Sequence, residues 1–507
     1  MKRPQPKKRP TLPPRIQSIV KAWPSAASAI LLLLAFPPFN FGLLVLVALV
    51  PWLISLRDTT GKGAWRSGYC FGFIYGLGQL FWVEQLVSRW VGSVWMGIIP
   101  WFIACALYSI YFGWVAVLIR HCWNRNWLWA IPLVWAGIEV FRSFIPSFAF
   151  PWGLLASPLW PYTALIQNAH FGTIYMVSAW VVLINLLVCL LLVGLSYRRM
   201  RSYISVAAVG AVMSVVWLDT VEPSTKLIVT AGQPGVDMAF SDPDIADEAM
   251  RRNVNAITDR ADVDGTKLLV LPEGIAMAPT MPPKAPFRIS TKVPVIFGGR
   301  RSTNPTFQSA FGFDGKRWQY EDKTRLVVFG EYVPGRDLFP FLTSAFKLPG
   351  EDFVAGREGV KAFDIAGTKV GPIVCFEALF PDVSFLQAAQ GSRLLAVIGI
   401  DDWYMDGNAP DQIRAASVWR AVETGLPLVR AMSTGYTMAV DGHGHILAMA
   451  PLRTPIGLKV DMPIPDKSPL FRAAPVFPAL SCVFALVMPW AKRGHRAQKG
   501  PNSTDAA

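Results

Sequence analysis

The chain has 507 residues, 52% of them apolar and only 16% charged, with a formal net charge of +14. That charge fraction is well below the roughly 25% of soluble domains, which excludes an ordinary soluble globular class, and the length allows two or three domains. The basic excess sits beside apolar runs, so it reads as charge flanking membrane spans, and no nucleic-acid partner is expected.

Seven apolar runs fill the N-terminal part. They are "SAASAILLLLAFPP", "FGLLVLVALVPWLISL", "GYCFGFIYGLGQLFWV", "WMGIIPWFIACALYSIYFGWVAVLI", "WLWAIPLVWAGIEVF", "TIYMVSAWVVLINLLVCLLLVGL" and "ISVAAVGAVMSVVWL". An eighth, "FPALSCVFALVMPW", lies near the C-terminus. Several approach the roughly 20 residues that span a bilayer; the fifth and eighth are short. The first run lacks a small-residue cleavage site and is followed at once by further spans, so it reads as a helix and not as a signal peptide. The expectation is a polytopic α-helical membrane domain of about eight transmembrane helices.

Lys and Arg set the orientation. They crowd the N-terminal tail from Lys2 to Lys21, and the loops holding Arg57, Lys62 and Arg66, then Arg120 and Arg125, then Arg198, Arg199 and Arg201. They return in the C-terminal tail, from Lys492 to Lys499. The alternate loops hold almost none, Arg89 and Arg142 apart. With the N-terminus inside, every basic loop is cytoplasmic. The reading in domains is a basic cytoplasmic tail over 1–22, seven helices over 23–218, an outer domain over 219–469, a last helix over 470–491 and a basic tail over 492–507.

The outer segment has another texture. Short β-rich runs such as "KLIVTAGQ", "TKLLVLPEG", "VPVIFGG", "FQSAFGFDG", "KVGPIVCFE" and "LLAVIGIDDW" alternate with helix-like stretches, "DPDIADEAMRRNVNAITDRAD" and "DQIRAASVWRAVETG". That alternation predicts a layered α/β domain. "FDGKRW" and "VDGHGHI" carry Asp-Gly and predict hairpin turns.

Of six cysteines, Cys375 is the one in this segment, so it has no partner for a disulfide within the domain. A free thiol is commonly a buried packing residue. Against that, Cys375 ends an apolar strand, where α/β sheets place chemistry, and Glu377 follows closely. His443 and His445 fall in a turn and are weak partners. Glu273, at the end of "KLLVLPEG", is an acid that burial would penalise unless it is paired or functional. Lys323 and Glu331 lie in "YEDKTRLVVFGEYVP", where an exposed ion pair is the plain alternative.

Glu273 in "LPEG", Lys323 in "DKTRLVVFGEYVP" and Cys375 in "VCFE" resemble the Glu-Lys-Cys triad of the nitrilase superfamily. Joined to eight apolar runs, the pattern resembles the apolipoprotein N-acyltransferases, the membrane-embedded members of that superfamily. The resemblance implies an αββα sandwich on the periplasmic side of a bacterial inner membrane. It implies transfer of a phospholipid acyl chain, through a Cys375 thioester, to the amino-terminal diacylglyceryl-cysteine of a lipid-anchored apolipoprotein. Glu273 would be the base and Lys323 the oxyanion donor. Glu331, Glu377, Phe376 and Trp403 would support the site and orient substrates, with Glu331 and Glu377 orienting Lys323 and the incoming amine. No cofactor and no metal are expected, and the chain is expected to be a monomer.

The likeness has gaps. Ile400 stands where an Asn is common, Leu426 precedes Pro427 where an Arg is usual, and Arg325 and Val328 replace a His and a Pro. These bear on donor and acceptor. A membrane-bound amidase or hydrolase, or an acyltransferase for another amine, is the alternative on the same triad. A transporter would call for intramembrane acids, and Glu84 and Glu139 are the main ones here. The segment "GRDLFPFLTSAFKLPGEDF" offers Phe339, Phe341 and Phe346 either to lipid or to ordinary packing.

Overall fold

A computed structural model describes residues 14–220, 224–278, 281–283, 292–302, 304–338, 340, 346, 351–404 and 407–491. Phe339, Phe341 and the tail residues Lys2 to Arg9 and Lys492 to Lys499 lie outside the described residues. The helices of the first part are α1 (Pro14–Ala35), α2 (Val50–Leu56), α3 (Gly61–Gln79), α4 (Phe81–Val91), α5 (Val94–Arg125), α6 (Ile131–Phe144), α7 (Thr163–Ile166), α8 (Ala169–Leu192) and α9 (Tyr197–Leu218). Among the described residues, α5, α8 and α9 are long and apolar enough to cross a membrane, and Ala22–Ala35, Gly42–Leu56 and Val476–Trp490 are shorter apolar helical stretches.

Not every apolar run is a single helix. The second is a 3₁₀ turn, Gly42–Leu46, followed by α2, which starts with Pro51 in its first turn, where a missing N–H costs nothing. The third breaks at Leu80 into α3 and α4. α3 packs tightly on α5 through small residues: a Cβ on Gly68 would sit 2.2 Å from the Phe112 carbonyl oxygen. α4 has no buried residue and runs beneath the α/β part. The basic loops gather at the far end of the bundle. There Arg120 donates to the carbonyl oxygens of Thr59 and Arg57 at 2.5 and 2.8 Å, and Arg125 to that of Ala491 at 2.5 Å.

The second part is the expected αββα sandwich. One sheet contains β1 (Ser224–Gln233), β2 (Leu268–Val270), β3 (Ala276–Ala278), β4 (Val295–Arg301), β5 (Phe307–Phe313), β6 (Trp318–Asp322) and β13 (Ile456–Pro465), in the order β13-β1-β2-β4-β5-β6 with β3 beside β4. The other contains β7 (Phe363–Ile365), β8 (Thr368–Val374), β9 (Leu394–Gly399), β10 (Leu428–Met432), β11 (Met438–Val440) and β12 (Ile446–Met449), in the order β12-β11-β10-β9-β8-β7. Both predicted Asp-Gly hairpins join antiparallel neighbours, β5 to β6 and β11 to β12.

The strands are apolar on both faces because both are covered, and successive side chains alternate between the covers. On β9, Leu394, Ala396 and Ile398 point into the layer between the sheets, while Leu395 and Val397 point outward. On β2, Leu268 and Val270 enter the same inner layer, and Leu269 packs under α10 (Pro243–Val263) with Val254 and Ile257. The second sheet is covered by α11 (Pro381–Ala389) and α12 (Ala409–Thr424). Their apolar residues, among them Val383, Val418 and Trp419, join one continuous core with the membrane helices. The chain then returns to the bundle as α13 (Val476–Val487), which packs on α6.

Polar links seat one part on the other. Asn408 donates to the Gly78 carbonyl oxygen at 3.1 Å, the Trp419 indole to that of Ser157 at 3.3 Å, and Tyr332 to that of Ser147 at 3.0 Å. Arg89 of α4 pairs with Asp237 at 2.8 Å and lies over Phe240.

Candidate active site

The site forms where strand ends of the two sheets meet. Glu273 follows β2, Lys323 follows β6 and Cys375 follows β8, so strand ends from both sheets bring together three residues distant in the chain. Lys323 Nζ lies 2.6 Å from Glu331 Oε1 and 4.0 Å from Glu273 Oε1. Lys323 is 1% exposed and Glu273 4%. A buried ammonium between two carboxylates is held by both. The plain alternative of an exposed ion pair does not describe Lys323.

Cys375 keeps partial exposure. Its backbone is left-handed, φ 53°, a conformation a side chain with Cβ rarely adopts and one that clusters at functional turns. The strand ends there because the next residues form a 3₁₀ turn, Cys375–Leu379. The thiol lies 3.9 Å from the Ile400 carbonyl oxygen. Gly399 makes the space: a Cβ there would meet the Cys375 Cα at 3.0 Å.

Burial pushes the Glu273 carboxyl above the ordinary carboxylate range, and Glu331 adds to the rise. The Lys323 charge, a hydrogen bond from Gln308 and one from Cys375 oppose it. Burial works against the Lys323 charge, but Glu331 and Glu273 outweigh it and hold the ammonium above its ordinary value. Burial raises the Cys375 thiol too, the Glu273 charge adds to this, and Lys323 opposes it.

The four supporting residues are placed differently. Glu331 accepts from Lys323 with one oxygen and from the Val327 N–H, at 2.8 Å, with the other, fixing the lysine and its loop together. Glu377 is 1% exposed and its oxygens are taken by the chain itself. Oε1 accepts from the Thr324 N–H and hydroxyl at 2.7 and 2.8 Å and from the Arg325 N–H at 3.1 Å; Oε2 accepts from the Val374 N–H at 3.0 Å. It ties the lysine loop to the cysteine strand. Phe376 is buried against Phe380. Trp403 lies at the joint, 5.1 Å from Trp90 of α4 and 6.0 Å from Phe240 between ring centres.

Three residues were not anticipated. Gln308 on β5 donates to Glu273 Oε1 at 2.6 Å and fixes that carboxylate. Tyr404 is buried close enough to Cys375 and Lys323 for their charges to act on its hydroxyl. It meets Trp82 of α4 at 5.4 Å, so aromatic rings stand between the thiol and the membrane helices. Asp401 pairs with Arg430 at 2.7 Å beneath the β9 end. A polar pair, Gln308 and Ser309, within an apolar strand was the one sequence signal for Gln308. His443 lies elsewhere, holding Gln167 and the Thr220 carbonyl oxygen at the joint. Among the described residues no cluster of His, Cys, Asp and Glu is arranged to hold a metal ion.

Comparison with known proteins agrees with the two-part chain. A family model described as the apolipoprotein N-acyltransferase N-terminal domain matches residues 28–187, and one described as carbon-nitrogen hydrolase matches residues 299–461. An apolipoprotein N-acyltransferase of Geobacter metallireducens is 29% identical over 460 residues, covering 84% of this chain and 86% of that protein. One of Gloeobacter violaceus is 30% identical over 441 residues, covering 81% and 82%. One of Pseudomonas syringae pv. tomato is 26% identical over 470 residues, covering 85% and 89%. With a membrane-helix part and a carbon-nitrogen hydrolase part in the same order along nearly the whole length, this chain belongs to the apolipoprotein N-acyltransferase family and is a membrane acyltransferase.

Proposed function

We propose that the protein transfers an acyl chain from a phospholipid to the amino terminus of a lipid-anchored apolipoprotein, through a thioester on Cys375. The observation that carries this reading is the buried Lys323 held between Glu331 and Glu273 beside a half-exposed thiol on a strained turn. Glu273 takes the thiol proton as sulfur attacks the ester carbonyl carbon. Lys323 stabilises the oxyanion that forms. The ester C–O bond breaks, Glu273 returns its proton to the leaving oxygen, and a lysophospholipid departs. The acceptor amine then attacks the thioester and loses a proton to Glu273. The C–S bond breaks, and that proton restores the thiol. Two half-reactions on one nucleophile give ping-pong kinetics.

In this reading the chain crosses a bacterial inner membrane eight times, and residues 219–469 face the periplasm. The support is segregation: the basic loops lie at one end of the bundle and the site at the other. The test is the acyl-enzyme. The full-length protein, incubated with phospholipid vesicles and no acceptor, is digested and analysed by mass spectrometry. A hydroxylamine-sensitive acyl adduct on the Cys375 peptide is expected. Release of free fatty acid at the rate of acylation would point to a hydrolase, and N-acyl product from Cys375→Ser at the wild-type rate would overturn the mechanism.

A further inference from the structure

α8 is broken near its start. Gly172 (φ −161°, ψ 22°) and Thr173 (φ 63°, ψ −179°) leave the helical conformation, and the helix resumes at Ile174. A β-branched residue at positive φ is strained and persists only where its surroundings hold it. The break frees the Ile174 N–H, which would need a partner in any buried setting. Its partner comes from the α/β part: Glu423 of α12 accepts it at 2.7 Å through Oε1.

Glu423 does not act alone. Its second oxygen lies 2.7 Å from Arg420 Nε, one turn earlier on α12, and the pair is 3% and 1% exposed. Arg420 turns a second nitrogen to the nucleophile turn. Nη1 donates to the Leu379 carbonyl oxygen at 2.9 Å and, more loosely, to that of Ala378 at 3.3 Å. Both carbonyls belong to the Cys375–Leu379 turn. A small cavity also opens at this joint, lined among others by Trp152, Gly153, Leu154, Ile174, Leu379 and Arg420. A continuous polar line therefore runs from a break in a membrane helix, through two buried charges, to the turn that carries Cys375.

We propose that Glu423 and Arg420 are positioning residues for the acyl transfer, which set the Cys375 turn according to how α8 is seated. The pair touches neither substrate nor reacting atoms. This inference rests on Cys375 being the nucleophile. A guanidinium suits the task because its planar fork serves the carboxylate and the carbonyls at once, which an ammonium cannot reproduce. Misplacing a nucleophile by about 1 Å costs up to roughly a hundredfold in rate.

The test uses the full-length protein in phospholipid nanodiscs, with Glu423→Gln, Arg420→Lys, Glu423→Ala and Arg420→Ala. Three quantities are read on each: the midpoint of thermal unfolding, kcat and KM for acyl-enzyme formation, and the rate at which iodoacetamide alkylates the Cys375 peptide. Glu423→Gln keeps an oxygen for Ile174 but loses the charge facing Arg420; Arg420→Lys keeps the charge but loses the fork. Both are expected to fold, to lose roughly tenfold in kcat with KM little changed, and to change the alkylation rate of Cys375. The alanine variants are expected to lose more, and if they do not fold the two conservative variants decide. Folded Glu423→Gln and Arg420→Lys with wild-type kcat and alkylation rates would overturn the proposal, as would a lowered midpoint with wild-type kcat in the folded fraction. A wild-type protein that forms no acyl adduct on Cys375 would instead sink the proposed function, while the alkylation rates would still report whether the pair sets the turn.

Discussion

Residue by residue, the site is a problem of keeping one lysine charged and one carboxylate basic in a dry place. The raised Glu273 carboxyl has a consequence for pH. In the proposed mechanism Glu273 is the general base and works only when ionised, so the rate is expected to fall as pH drops through the Glu273 value, which burial raises above the ordinary carboxylate range. Acyl-enzyme formation is therefore expected to lose its acid limb at a higher pH than a solvated glutamate would give. A pH–rate profile checks this, and Glu273→Gln should leave only a slow rate without that limb. Lys323→Met should lower the rate by roughly a hundredfold to a thousandfold, the usual cost of removing one oxyanion donor. Rapid-quench measurement of the Cys375 adduct is the readout, and a loss under tenfold would mean that Lys323 is not the donor.

At the scale of elements, strand ends do the assembly. β2, β6 and β8 carry Glu273, Lys323 and Cys375 past their last paired residues, and small residues let the backbones close in. Gly399→Ala is a test of this: its new Cβ would press on the Cys375 Cα and on the Met432 methyl, at 3.0 and 3.2 Å. The expected outcome is a folded protein with acyl-enzyme formation slowed roughly tenfold or more, by the same misplacement argument. Glu273, Lys323 and Cys375 could be picked out in the sequence because Glu273 and Cys375 follow apolar strands and all three lie in distinctive stretches, and the strands were legible because both their faces are covered. The break in α8 and its partner Glu423 were not legible. Gly172 stands just before, and Thr173 at the first position of, a run that reads as one span, and Glu423 lies near the end of a helix-like stretch with no local mark of its partner. What makes them a unit is the docking of α12 on α8, and local pattern holds no trace of such long-range packing. Glu377 shows the same limit: its place two residues after Cys375 was plain, but its bonds to Thr324, Arg325 and Val374 depend on a loop distant in the chain.

For the molecule as a whole, the basic end and the catalytic end are opposite poles of one bundle. A reporter active only outside the cytoplasm is expected to be active when fused at Gly265 and silent at Arg57; the reverse pattern would invert the orientation. The two parts also share apolar surface, since Ile413, Val418 and Trp419 of α12 lie in the same core as the membrane helices. Residues 219–469 expressed alone would bare that face and are expected to bind a hydrophobic dye strongly, where a self-sufficient domain would not. The shared core has a thermodynamic consequence. Chains built from independent domains melt in separate steps, but here neither half can lose its packing without unroofing the other. Heating the protein in micelles should give one cooperative transition, with the fluorescence of bundle tryptophans and the exposure of the Cys375 thiol changing at the same temperature.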